Sequence, residues 1–413
     1  MGVVSPIGIG TEELWNSLVE GLSAIKVKKF SAGDNSLADR NQLVAEITGF
    51  EPKDFVKPRK ALKVMAREIQ TGFSAAMMAT QQAGIEPGTI DPNRLGVLFG
   101  SELLFSESEQ AYSAIAMCSK DGVFQPELWG EVAARNITPL WMLKSLPNMV
   151  ACHVGIALDA RGPNNTITTE ETAALTATIE AISVIERGLA DVMIVGASGN
   201  RIVPTRLMQR HESLFTDRHD LIAAACRPFD ANRTGAVPGE AAAVIVIEKR
   251  SSAEARSIEP LCTISGWSNG FGIPSRPIGG SAAAVQRAID AALARSGLAA
   301  NDIGFVSAAA NGSISLDSSE AEGISQSKLS GRPTTSFKAH FGDSGCGSGL
   351  LETCATALAL QHETIPATLN FESPGADCPV EVVSGSAAKL TASAAMKISL
   401  TPHGQATTLL LHR

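Results

Sequence analysis

The sequence predicts an α/β protein whose parallel sheets are covered by helices on both faces, built as two similar halves. Three observations carry this. Short apolar runs alternate along the chain with Ala-rich stretches of helical periodicity. The order of elements in residues 1–250 recurs loosely in residues 251–413, which puts a boundary within 249–260. The composition suits tight packing: of 413 residues, 44% are hydrophobic, 18% charged and 5% aromatic, and 37 are glycine. A chain of this length is expected to hold one large α/β unit or two fused ones.

Residues 11–21 have apolar positions at helical spacing and a stop at Gly21, and read as a helix. An Ala- and Met-rich helix over 60–83 ends at Gly84, with Pro87 three residues on. Residues 94–100 form a mostly apolar run that reads as a strand buried on both faces. Residues 101–140 read as an inserted, partly helical segment, and 147–158 as helix. A helix over 173–188 and a buried strand over 191–197 follow. In the turn-rich loop 227–240, Asp230 and Arg233 are expected to shape the approach to Glu240. Strands over 241–249 and near 261–267 lead into the second half. There, helices are expected over 279–296, 316–326 and 347–360, and strands over 302–308, 333–338, 394–400 and 407–411.

Residues 161–175 join a Gly-Pro turn to a short β-branched run and then switch sharply into helix. A strand-to-helix turn of this kind can aim one side chain into a cavity from a helix N-terminus. Glu171 is therefore the first candidate for a reaction centre. A simpler reading also fits, because Thr168-Thr-Glu-Glu171 is a T-x-x-E capping box. Spacing alone leaves both open.

Several classes are excluded. Net charge is −8 with no long basic run, which argues against nucleic acid as a partner. The seven cysteines are odd in number and show neither CxxC nor His/Cys ligand spacing. Reduced thiols and a cytoplasmic location are expected, without structural zinc. No apolar run approaches the ~18 residues of a membrane span, and the opening residues lack a signal-peptide layout. Pro6 rules out a myristoylation motif at Gly2. The glycines of Gly196-Ala-Ser-Gly199 lack dinucleotide spacing, so no cofactor is expected.

Five motifs lie in a telling order: Gly2-Val-Val-Ser-Pro-Ile-Gly8, Pro147-Asn-Met149, Gly162-Pro-Asn-Asn-Thr-Ile-Thr-Thr169, Arg227-Pro-Phe-Asp230 and Gly235-Ala-Val-Pro-Gly-Glu240. Lys338 and the glycines after it continue the series. Over essentially its whole length the chain resembles the β-ketoacyl-acyl-carrier-protein synthases, or ketosynthases, of the thiolase-like fold. The resemblance implies two duplicated βαβ halves in a layered α-β-α-β-α architecture, a homodimer or heterodimer, and acyl carrier protein as a partner. It also implies a strand ahead of the segment that opens this chain, and two readings stay open: the true start lies upstream of Met1, or the sheet lacks part of a strand.

The resemblance also marks where the chemistry departs. The family uses a Cys nucleophile, two His residues and a pair of backbone N–H donors. By motif position, Glu171 stands for the Cys, Asn311 for the first His and Asp343 for the second. His340 lies near Asp343 but is expected to point elsewhere. In the closing glycine turn, Pro402 and Gly404 take the family positions, and Pro402 has no N–H to donate to an oxyanion. Lys338 and Glu240 match the polar support behind the centre and are expected to form a buried ion pair.

These losses agree with one another, since a carboxylate cannot take the place of the thiolate nucleophile in this chemistry. The expected role is that of a non-condensing, chain-length-factor-like partner of an active ketosynthase subunit, with an interface that includes residues 146–160. The alternative is an enzyme on acyl thioesters or polyketide-like substrates, with Glu171 and Asp343 as an acid/base pair. A third reading keeps a thiol nucleophile at Cys346 or Cys152, although a small buried residue is the simpler account of either. A decarboxylase would need the two His residues.

Overall fold

Ala-rich helices and apolar strands satisfy both their faces only by stacking in layers. In the computed structural model, which describes residues 1–30, 40–102, 109–203, 206–207, 214–274, 276 and 278–413, they form five layers, α-β-α-β-α. The first sheet runs Gly8–Ile9, Gly2–Ser5, Glu240–Glu248, Val192–Asn200, Leu95–Ser101, Asn164–Ile167. The second runs Thr263–Phe271, Gln405–His412, Ala394–Leu400, Ile303–Ser307, Pro333–Thr335, Glu381–Val382.

The sheets are mixed, not parallel as expected. Ala394–Leu400, Ile303–Ser307 and Pro333–Thr335 are parallel neighbours, whereas Gln405–His412 returns antiparallel to Ala394–Leu400. The turn between those last two strands is far too short for the crossover a parallel pair needs. The first sheet repeats the pattern, with Glu240–Glu248 antiparallel to Val192–Asn200 and the next two strands parallel.

Between the sheets lie the helices Ala173–Glu186 and Cys346–Gln361, whose core contacts come from both. Residues 346–360 are all buried, as a helix flanked by two sheets requires. Arg67–Gln82 and Met149–Leu158 cover the outer face of the first sheet. Ala282–Ser296 and Ile314–Gln326 cover that of the second.

The helix expected over 60–83 divides into a 3₁₀ stretch, Arg59–Val64, and the α-helix Arg67–Gln82. Met65 and Ala66 between them are extended, and the Gln70 side chain bonds to the Met65 carbonyl at 2.9 Å in place of a helical partner. The stop at Gly84 is as expected: its φ is +63°, and Ile85 N–H returns to the Thr80 carbonyl at 2.9 Å. The ladder between Ile25–Phe30 and Arg40–Ala45 was not anticipated. Within 101–140, helices cover Glu109–Met117 and Pro126–Asn136, while residues 103–108 lie outside the described ones. Gly2–Ser5 is a fully buried strand of four residues.

Candidate functional site

The turn after Asn164–Ile167 is made by Glu170, whose φ of +52° lies in the left-handed region. A 3₁₀ turn, Glu170–Thr172, leads into the helix at Ala173. The capping box expected at Thr168 and Glu171 does not cap this helix: the helix begins only at Ala173, and neither Thr169 nor Thr172 makes a side-chain cap bond. The Glu171 carboxylate is instead committed to a different partner, the guanidinium of Arg201 at 2.5 Å.

Arg201 directly follows the buried strand Val192–Asn200, and its side chain is 2% exposed. It reaches Asp343 at 2.9 Å and Glu102 at 3.6 Å, and Arg206 meets Glu102 at 3.3 Å. Asn311 donates its amide N–H to the Asp343 carboxylate at 2.9 Å and holds Ser313 N–H at 3.0 Å. The other Asp343 oxygen accepts Gly345 N–H at 2.9 Å. Glu171, Asn311 and Asp343 thus meet in space, joined by Arg201. Burial works against the Arg201 charge, but Asp343, Glu171 and Glu102 outweigh it and raise its pKa above the ordinary arginine value. Sequence reasoning missed Arg201 and Glu102; the available signal was an arginine immediately after a mostly apolar strand.

A second polar shell lies behind. Lys338 pairs with Glu352 at 2.7 Å and donates to the Ala309 carbonyl at 2.7 Å, and Lys397 meets the other Glu352 oxygen at 2.7 Å. Glu240 is paired with Arg67 at 3.1 Å and accepts Ile47 N–H at 2.9 Å. The expected Lys338–Glu240 pair therefore does not form, because each has a nearer partner on another element. Glu320 accepts Ala309 N–H at 2.7 Å, and burial pushes its carboxyl up to about 7. Asp317 accepts the N–H groups of Phe229, Asn311 and Gly312, and burial raises it to about 6. In the preceding loop, Asp230 accepts N–H groups from Asn232, Glu372 and Ser373, and Arg233 donates to the Asp230 carbonyl.

Pro402 and Gly404 form a buried turn beside this centre. The Pro402 carbonyl accepts Gly280 N–H at 3.3 Å, and His403 reaches Glu170 at 3.6 Å. Gly404 has φ +92°, and a Cβ there would lie 1.9 Å from the Gly272 carbonyl. Two small cavities lie among the described residues here. One cavity of about 10 Å³ is bounded by Glu171, Asn311, Glu320, Lys338, Asp343 and Leu400. Another of about 10 Å³ is bounded by Arg201, Phe215, Asn311 and Asp343. Each is about the size of one water.

Cys346 and Cys152, the two thiols weighed as nucleophiles, both lie where burial favours the protonated form. Cys346 is fully buried, donates to the Ser198 carbonyl at 2.9 Å, and is held protonated by burial well above its usual range. Burial also raises Cys152. His340 faces away from the centre, towards the Leu22 carbonyl at 2.9 Å, and burial lowers it to about 4.

This architecture matches known proteins over its full extent. Residues 1–253 fit the family description "Beta-ketoacyl synthase, N-terminal domain", and residues 262–372 fit "Beta-ketoacyl synthase, C-terminal domain". The chain is 29% identical over 394 residues to the ketoacyl synthase alpha subunit of the tetracenomycin polyketide synthase of Streptomyces glaucescens, covering 93% of this chain and 88% of that protein. The solved ishigamide ketosynthase/chain length factor has a TM-score of 0.85 at 22% identity, covering 100% and 97% of the two chains. A type II polyketide synthase acyl-carrier protein in complex with its ketosynthase gives 0.79 at 22%, with coverage of 100% and 97%. With both family domains matched in order over the thiolase-like fold, the chain belongs to the β-ketoacyl synthase family.

Proposed function

We propose that this chain is a non-condensing β-ketoacyl synthase homologue that works as a chain-length-factor-like partner of an active ketosynthase. In this reading Glu171, Asn311 and Asp343 occupy the places of the family's Cys and two His residues. The observation that carries it is Arg201, which ties Glu171 and Asp343 together in a buried ion cluster. A carboxylate locked to a guanidinium is neither a nucleophile for acyl transfer nor free to shuttle a proton. Pro402 adds no N–H to the turn where the family draws an oxyanion donor.

The partner would be a ketosynthase subunit, with acyl carrier protein visiting the pair. Support comes from exposed apolar side chains within residues 109–160, among them Ile156 in the expected interface segment 146–160. Tyr112, Met117, Val123, Leu140, Trp141 and Ile156 are all at least half exposed there, Ile156 to 80%. Large apolar side chains exposed on one protein are candidates for burial in an association surface.

The test is co-expression with an active ketosynthase and its carrier protein. The two chains should co-purify, and Ile156→Asp should break the complex. Glu171→Ala should leave the amount and length of product nearly unchanged. The competing reading, an enzyme with a Glu171/Asp343 acid/base pair, requires that the isolated chain turn over an acyl thioester and that Glu171→Ala abolish this. Such turnover by a homodimer would overturn the proposal.

A further inference from the structure

Three buried side chains around the centre carry more hydrogen-bonding capacity than their protein partners use. The Lys338 ammonium has three N–H groups and gives two of them, to the Ala309 carbonyl and to Glu352, each at 2.7 Å. Glu320 is fully buried. One of its oxygens accepts Ala309 N–H at 2.7 Å, and the other, Oε2, has no hydrogen-bond partner among the described residues. The Asn311 amide gives one N–H to Asp343 at 2.9 Å and has a second to give. Buried polar groups in folded proteins are rarely left unsatisfied.

All three side chains line one cavity of about 10 Å³, together with Glu171, Asp343 and Leu400. That volume holds a single water. We infer that this cavity is the binding site of one structural water, with Lys338 and Asn311 as donors to it and Glu320 as acceptor. The chemistry of the wall selects water over an ion. Glu171, Glu320 and Asp343 all border the cavity, and their carboxylates repel an anion such as chloride. A cation would lie against the Lys338 charge and could not accept its N–H. Water accepts from the ammonium and donates to a carboxylate at the same time. It also keeps its place when Glu320 takes up a proton, by reversing one hydrogen bond.

The site lies between two charged groups. On one side Glu352 holds Lys338 and Lys397, and on the other Arg201 holds Glu171 and Asp343. Through the water, Glu320 and Lys338 share one hydrogen-bonded path with the Arg201 cluster.

High-resolution crystallography of the full chain tests the assignment. One peak should lie within hydrogen-bond distance of Lys338 Nζ and Glu320 Oε2. No peak there would overturn the inference. So would an anomalous signal at that point in crystals grown with rubidium or bromide, because the occupant would then be an ion. In solution, oxygen-17 magnetic relaxation dispersion counts long-lived buried waters. Glu320→Gln, whose amide can still accept or donate, should keep the wild-type amplitude. Glu320→Leu should lose the share of one water. Equal amplitudes in all three forms would also overturn the assignment, and if the Leu variant does not fold, the wild-type crystal decides alone.

Discussion

Arg201 meets the carboxylates of Glu102, Glu171 and Asp343 within 3.6 Å, all of them buried. Removing the cation leaves these charges facing one another without water. Arg201→Met should therefore cost about 3–5 kcal/mol, read as a lower urea midpoint. The double variant Arg201→Met/Asp343→Asn should lose less than the two single changes added together, because the second removes part of the repulsion that the first creates. Glu320 gives a pH signature. Its carboxyl lies near 7 in the folded chain against an ordinary 4.5, so between these values the folded state binds more protons than the unfolded one. Glu320 should make stability fall as pH rises through that window, by on the order of 3 kcal/mol, and Glu320→Gln should remove that share of the slope while leaving the share from Asp317, which burial raises to about 6. Urea titrations at pH 5 and pH 8 measure it. At this scale the sequence was half legible. Glu171, Asn311 and Asp343 stood out because ordered motifs flank them. Arg201 did not, because its partners lie 30, 99 and 142 positions away in the chain, where no periodicity reaches.

The helix Cys346–Gln361 depends on its glycines for the approach of its neighbours. A Cβ at Gly347 would lie 2.4 Å from the Ala241 carbonyl, and one at Gly199 1.9 Å from the Ser344 carbonyl. Both obstacles are backbone, which cannot swing aside. Gly347→Ala should destabilise by at least the upper part of the roughly 1–3 kcal/mol range for overpacking. Gly130→Ala, on the outlying helix Pro126–Asn136 with open space around it, should stabilise by about 0.5–1 kcal/mol. Denaturant unfolding of the pair separates packing from propensity. The long apolar helices were readable from sequence because burial on all sides leaves a continuous Ala-rich run. Strand direction was not, since a strand buried on both faces has the same composition whichever way its neighbours run. The ladder Ile25–Phe30/Arg40–Ala45 escaped notice because each strand is six residues long and only their pairing identifies them.

Across the whole molecule, the duplicated order was legible as a loose repeat, while the way the halves interlock was not. Ala173–Glu186 and Cys346–Gln361 come one from each half and share a single core with strands of both sheets. Asp343 and Asn311 belong to the second half, and the Arg201 that holds Asp343 belongs to the first. Neither half buries its inner helix without the other. The two family domains are thus segments of sequence and not separate thermodynamic units. Calorimetry should give one transition, with calorimetric and van't Hoff enthalpies equal, and either half expressed alone should stay unfolded. Two resolved transitions would contradict this. The Arg201 cluster then acquires a meaning beyond chemistry: it is a rivet between halves, so a charge change at this centre alters the cooperativity of the entire chain.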